Sequence, residues 1–151
     1  MASQAIELHR QGSEIYHGDA ECKSRYIQLF QELGLPDGLF TMKDVQEFGY
    51  NPSSGFIWFI LKEKQSHSYK KIDRTVIFDK EVTAYVDNKK VKNISGVQTK
   101  ALIFWINVVE IFADEFSPEM ITFVSGIKGV SEKFPISAFE LEEECDNLVY
   151  V

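Results

Sequence analysis

A mainly β fold of the α+β kind, an antiparallel barrel-like or two-sheet assembly with N-terminal helices, is what the 151-residue sequence predicts. Three observations carry that expectation. One stretch near the N-terminus repeats its apolar residues at helical spacing. From Gly49 onward the spacing switches to short apolar runs separated by turn residues every eight to twelve positions, the rhythm of a sandwich or barrel. The chain is also long enough to bury most of its surface as one domain, and 44% apolar residues with 13% aromatics can fill that interior.

Cys22, Tyr26, Leu29, Phe30 and Leu33 recur at three and four between Asp19 and Leu33, which places them on one helix face. Asp19 is positioned to cap the start and Gly34 to close the end. The preceding stretch, Ala5 to Tyr16, carries Ile6, Ile15 and Tyr16 but is interrupted by Gly12, which weakens its helical pattern. Leu35-Pro36-Asp37-Gly38 has turn composition, and Thr41 to Gln46 reads as a short helix with Asp44 completing a weak capping box.

The strand region begins near Phe48-Tyr50. Asn51 to Gly55 should reverse the chain into Phe56-Leu61, and Asp87-Asn88 should reverse it between Val82-Val86 and Val91-Ile94. Val82, Ala84 and Val86 alternate with Thr83, Tyr85 and Asp87, so this strand has one core face and one wet face. Between Leu102 and Ile111, Leu102, Phe104, Ile106 and Val108 share one face while Ile103, Trp105, Val109 and Ile111 share the other. Cover on both faces is therefore expected, as for a central buried strand. Strands over Met120–Val124 and Val130–Ile136 follow turns at Ser117-Pro118 and at Gly126 to Gly129. No repeat is evident, so residues 11–141 read as one domain, residues 1–10 as a loose N-terminus, and residues 142–151 as a solvated acidic tail.

Sixteen basic against 23 acidic side chains leave a net charge of −7. Phosphate backbones and anionic lipid surfaces are repelled unless a local basic patch overrides that charge, so nucleic acid is excluded as an expected partner. The longest nearly uncharged apolar run, Ala101 to Val109, is about half of the ~20 residues a membrane helix needs, and no membrane span is expected. Cys22 and Cys145, two distant thiols, fit a reducing compartment. The opening Met1-Ala2-Ser3-Gln4-Ala5-Ile6-Glu7 has neither the basic start nor the apolar run of a secretory signal, so a cytoplasmic location is expected. The Asn93-Ile94-Ser95 sequon would then see no glycosylation machinery.

Catalytic and metal patterns are sparse. There is no Gly-x-Ser-x-Gly. His67, in the polar segment Gln65-Ser66-His67-Ser68, reads as a solvent-facing imidazole. His9 and His17 lack a third ligand at metal spacing, and the glycine turns resemble neither a phosphate loop nor a dinucleotide fingerprint; no cofactor is expected. Lys89, Lys90 and Lys92, with Lys62, Lys64, Lys70 and Lys71 upstream, form the basic concentration, and protection of an exposed strand edge explains it better than an anionic ligand or lipid headgroup. The other distinctive feature is the aromatic content of 12 Phe, 6 Tyr and 2 Trp. Core filling accounts for most of it, but some can line an apolar small-molecule pocket; Trp58 and Trp105, with Phe104 and Phe56, are the candidates.

Several stretches together resemble a plant family known as domain of unknown function 538. They are Leu33-Gly34-Leu35-Pro36-Asp37-Gly38-Leu39-Phe40, similar to the family's L-P-x-G-L-L turn; Gly49-Tyr50; Ser95-Gly96-Val97-Gln98; Trp105 followed by Val109-Glu110-Ile111; and Lys133-Phe134-Pro135 with Ala138-Phe139. The likeness runs from about Tyr16 to Glu140. Its Tyr16-His17-Gly18-Asp19 start is similar to the branch without a signal peptide, and Phe40 stands where a second Leu is common. The resemblance implies a compact barrel-like or two-sheet fold with N-terminal helices, likened to lipid-binding bactericidal/permeability-increasing proteins. It also implies hydrophobic-ligand binding or chlorophyll-ester hydrolysis as activities, and it brings no catalytic residues.

Three functions follow as expectations. The first is a non-enzymatic binding protein for an apolar small molecule, a lipid or pigment, acting in stress or growth, which requires an enclosed pocket above about 300 Å³. The second is an esterase-like hydrolase of the chlorophyll-ester type, which requires a Ser or Cys within hydrogen-bond reach of a His. The third is a regulatory interaction module using a strand edge or the acidic tail.

Overall fold

The computed structural model describes residues 4–101, 103–114 and 116–140. Its elements are α1 (Gln4–His9), β1 (Glu14–His17), α2 (Asp19–Glu32), β2 (Val45–Asn51), β3 (Phe56–Leu61), β4 (Gln65–Tyr69), β5 (Arg74–Asp87), β6 (Lys90–Ala101), β7 (Phe104–Ala113), β8 (Met120–Ser125), β9 (Ser131–Pro135) and a 3₁₀ turn, Ile136–Phe139. The strands form one antiparallel sheet of nine, in the order β1-β2-β3-β5-β6-β7-β8-β9, with β4 paired to β5 beside β3. The mainly β, antiparallel class holds, but the sheet is not closed into a barrel. Leu102, Cys145 and the acidic tail lie outside the described residues.

Helix α2 buries Cys22, Tyr26, Leu29 and Phe30, the residues whose spacing marks it in the sequence. Its end is a Schellman closure. The Leu35 N–H donates to the Phe30 carbonyl (2.8 Å) and the Gly34 N–H to the Gln31 carbonyl (3.1 Å), with Gly34 at φ 76°, a geometry glycine adopts without steric cost. Asp19 makes no cap. Its Oδ1 accepts from the Val45 N–H at 2.9 Å, so it ties the helix to β2 instead.

Two further local expectations are corrected. Thr41 to Gln46 is not helical: Asp44 sits at φ 53° and the chain enters β2 at Val45, because sheet pairing with β3 outweighs a weak local capping preference. The stretch from Ala5 to Tyr16 is a helix only to His9, and Glu14–His17 pairs with Tyr50–Glu47 as strand β1. Ile6 of α1, in the segment set outside the domain, is fully buried against Phe56 and Trp58.

The principal core lies between α2 and the inner sheet face, where Tyr26, Phe30, Phe40, Phe48, Phe59 and Phe78 form a continuous chain of edge-on and tilted rings. Much of the aromatic content is therefore core. On the outer face, Phe56 and Trp58 are covered by α1, and the His9 ring stacks on Phe56 at 4.0 Å. Trp58 lies against Gly49, its direct partner across β2 and β3, where a Cβ would stand 2.1 Å from Cζ2 of the indole.

The long strands β5 and β6 carry the bend that divides the sheet. Their register shifts between Phe78 and Thr83, and Gly96 there has φ 95° with its position for a Cβ only 2.4 Å from the Glu81 carbonyl oxygen. Bulges of this kind bend strands. Beyond the bend the sheet curls, and Arg74 of β5 reaches Glu132 of β9 across the trough, with three strands between them in the sheet order, in a two-pronged ion pair whose Nη1–Oε1 limb is 2.6 Å. The free edges of β4 and β9 do not pair. The loop after α2 occupies the space between them: the Gly38 N–H donates to the Phe139 carbonyl (2.7 Å) and the Tyr69 hydroxyl to the Leu39 carbonyl (2.8 Å).

Strand β6 pairs with β5 on one side and β7 on the other, so the lysines at its start guard no edge. Lys90 faces Glu110 at 3.9 Å instead. The polar stretch at Gln65, by contrast, is an edge strand, β4, with His67 half-buried and its ring against Tyr69 at 4.6 Å.

Candidate functional site

The inward-facing residues of β6, β7 and β8 continue the core until it runs out of cover, and there the trough opens as a cleft of about 360 Å³. Ile106 and Val108 form its floor, Phe123 and Val130 one wall, and Thr99 and Ser125 supply polar groups. The Arg74–Glu132 pair spans the cleft, with the Arg74 guanidinium 5.4 Å above the Phe134 ring. Apolar walls with few polar groups suit an apolar ligand, and the volume lies at the lower end of the usual range. The cleft is open along one side and is not the enclosed pocket that the binding expectation calls for.

The four candidates named from sequence separate into two pairs. Phe56 and Trp58 are buried in the outer-face cluster with Ile6, remote in the topology from β7 and β8. The Trp58 Nε1–H donates to Glu47 Oε2 at 2.8 Å, and the same carboxylate receives Arg10 Nη2 at 2.8 Å and His17 Nε2 at 3.0 Å. Desolvation raises the pKa of Glu47, but the hydrogen bonds from Trp58, Arg10 and His17 outweigh it and hold the carboxyl below its ordinary range. This is a structural junction joining β1, β2, β3 and the chain after α1.

Phe104 and Trp105 stand at the start of β7, exposed by 64% and 41%. Phe104 alternates onto the face of Ile106 and Val108 but does not line the cleft. The expectation that both faces of this segment are covered fails at its first half, where Ile103 is also 78% exposed. The cleft residues themselves were partly readable: Ile106 and Val108 already share Phe104's face in the sequence pattern. Arg74 and Glu132 are 58 positions apart, and no local signal links them.

A second groove, about 320 Å³, lies beside β4, lined by His67, Ser68, Tyr69, Lys70 and Thr41 among others. Burial, with Lys43 and Lys70 nearby, lowers the His67 pKa. Ser68 adjoins it on the opposite strand face, and its hydroxyl is hydrogen-bonded to Thr75 Oγ1 at 3.0 Å. His9 Nδ1 bonds the Ala5 carbonyl and His17 bonds Glu47. Cys22 is a buried thiol donating to the Tyr16 carbonyl, and burial pushes its pKa up to about 11, far from a nucleophilic thiolate. Among the described residues, no group of three or more His, Cys, Asp and Glu side chains could hold a metal, and no helix is long and apolar enough to cross a membrane.

No curated protein and no solved structure matches the chain. The family model described as a protein of unknown function, DUF538, matches residues 26–140, from the buried face of α2 through the cleft strands to the turn after the 3₁₀ segment. The chain belongs to the DUF538 family.

Proposed function

We propose that this protein is a non-enzymatic binding protein for a hydrophobic small molecule, a lipid or pigment, seated in the cleft between β5 and β9. The supporting observation is that cleft: an apolar floor of Ile106 and Val108 at the margin of the inner-face core. Burying an apolar chain there stabilises the complex by roughly 25 cal/mol per Å² removed from water, before the cost of association. Thr99, Ser125 and the Arg74 guanidinium offer donors for a polar end group.

Ester hydrolysis has weaker support. Cys22 is held as a thiol, and Ser68 is engaged with Thr75 rather than His67. Native mass spectrometry of protein purified from its own source tests the binding reading. A co-purifying apolar molecule, retained by the wild type and lost in Val130→Asp, is the expected result; Val130 lines the cleft yet is exposed enough for the change to leave the fold intact. Adducts held equally by both proteins would place the ligand elsewhere.

A further inference from the structure

The antiparallel register gathers three chain reversals at one end of the curled sheet. The turn of residues 70–73 enters β5, β6 hands over to β7 at the Ala101–Phe104 pair, and β8 passes to β9 beyond the Val124–Ser131 pair. This end carries Ile103, Phe104, Trp105, Ile127 and Val130, five of the seven large hydrophobic residues that stand exposed among the described residues. It is also basic on a chain of net charge −7. Lys70, Lys71, Lys100 and Lys128 are all exposed there, and the Lys100 ammonium lies 5.7 Å from the centre of the Trp105 ring. Among the described residues the acids nearby are Asp73, Glu140 at the rim, and Glu132, which is tied to Arg74.

We propose that this end of the sheet docks on an anionic phospholipid surface, with Ile103, Phe104 and Ile127 entering the boundary between headgroups and acyl chains. Trp105 lies at headgroup depth, where an indole's apolar body and polar N–H are both accommodated. The four lysines meet the negative lipid phosphates and carboxylates. A second copy of this chain would bring the same lysines face to face, and the charge pattern favours lipid over self-association. The proposal goes beyond ligand binding and stands whether or not the cleft is filled, although docking would set the mouth of the cleft, at Val130, against the membrane.

The test is flotation of the full chain with vesicles of phosphatidylcholine, with and without phosphatidylserine, alongside tryptophan emission. Expected are binding that strengthens with phosphatidylserine and weakens with salt, and a blue shift present in the wild type and absent in Trp105→Phe. The double variant Ile103→Asp with Phe104→Asp should lose about tenfold or more in vesicle affinity, and Lys100→Glu with Lys128→Glu should lose the preference for phosphatidylserine. Circular dichroism of each variant should match the wild type, because all five positions are exposed. Absence of flotation with either vesicle, or flotation unchanged in the double Asp variant, overturns the proposal. So does sedimentation showing a wild-type dimer that the double Asp variant abolishes, which would assign the face to a second copy. Vesicle binding and retention of a small molecule are separate readouts, so failure of one is distinguishable from failure of the other.

Discussion

The run that opens β3, Phe56-Ile57-Trp58-Phe59, and the run that leads into β7, Ile103-Phe104-Trp105-Ile106, look alike in sequence and meet opposite fates. In β3 the first four residues are all buried, because α2 with the inner core covers one face and α1 covers the other. The run that opens β7 is sheltered by neither helix, and its first residues face solvent. Continuous hydrophobicity therefore records that both faces need cover, and leaves open whether this chain supplies it. Where the described residues do not, as at Phe104, the side chain stands exposed, and exposed apolar patches are the kind of surface that interaction sites use.

The sharpest way to break this comparison is to truncate the two tryptophans in turn. Trp58→Ala should cost about 3–5 kcal/mol in urea denaturation, since it removes a fully buried side chain and leaves Glu47 without its indole donor. Trp105→Ala should stay within about 0.5 kcal/mol of wild type, as surface substitutions usually do. Equal losses would mean that the β7 end is covered after all. Next in size is Gly96→Ala. A non-glycine residue at φ 95° costs about 1–3 kcal/mol, and the approach to the Glu81 carbonyl adds to it; a loss near zero would show that the bend of β5 and β6 relaxes freely.

A smaller effect separates the regions by pH. Glu47 has a folded-state pKa below its unfolded value, so its contribution is fully present above the unfolded carboxylate value of about 4.3 and is lost as pH falls through the lower folded one. The wild type should therefore lose stability over that acidic window more steeply than Glu47→Gln. Parallel stability curves for the two proteins would show that the Arg10, His17 and Trp58 contacts contribute no linkage.

What could be read in advance follows the range of the forces involved. Helix α2 and the alternation of Val82, Ala84 and Val86 rest on neighbours a few residues apart, and both are visible in the sequence. The four residues of β1 are too few to show a period, and their strand character comes from pairing with β2, 30 to 36 positions away. The sequence pattern put Phe56, Trp58, Phe104 and Trp105 into one candidate set because it reports apolar character and not distance. It also grouped Phe104, Ile106 and Val108 on one face, and the last two form the cleft floor. The Arg74–Glu132 bridge and the exposure of Ile103 depend on how far the sheet curls, and no local spacing encodes that.

The most direct measurement of the central claim is a titration of the protein in solution with an environment-sensitive fluorescent fatty acid, comparing wild type, Val130→Asp and Trp58→Phe. If the open cleft is the ligand seat, the wild type binds one probe saturably, Val130→Asp loses most of that affinity, and Trp58→Phe keeps it despite lower stability. Saturable binding lost in Trp58→Phe and retained in Val130→Asp, or no saturable binding to the wild type, would contradict the account.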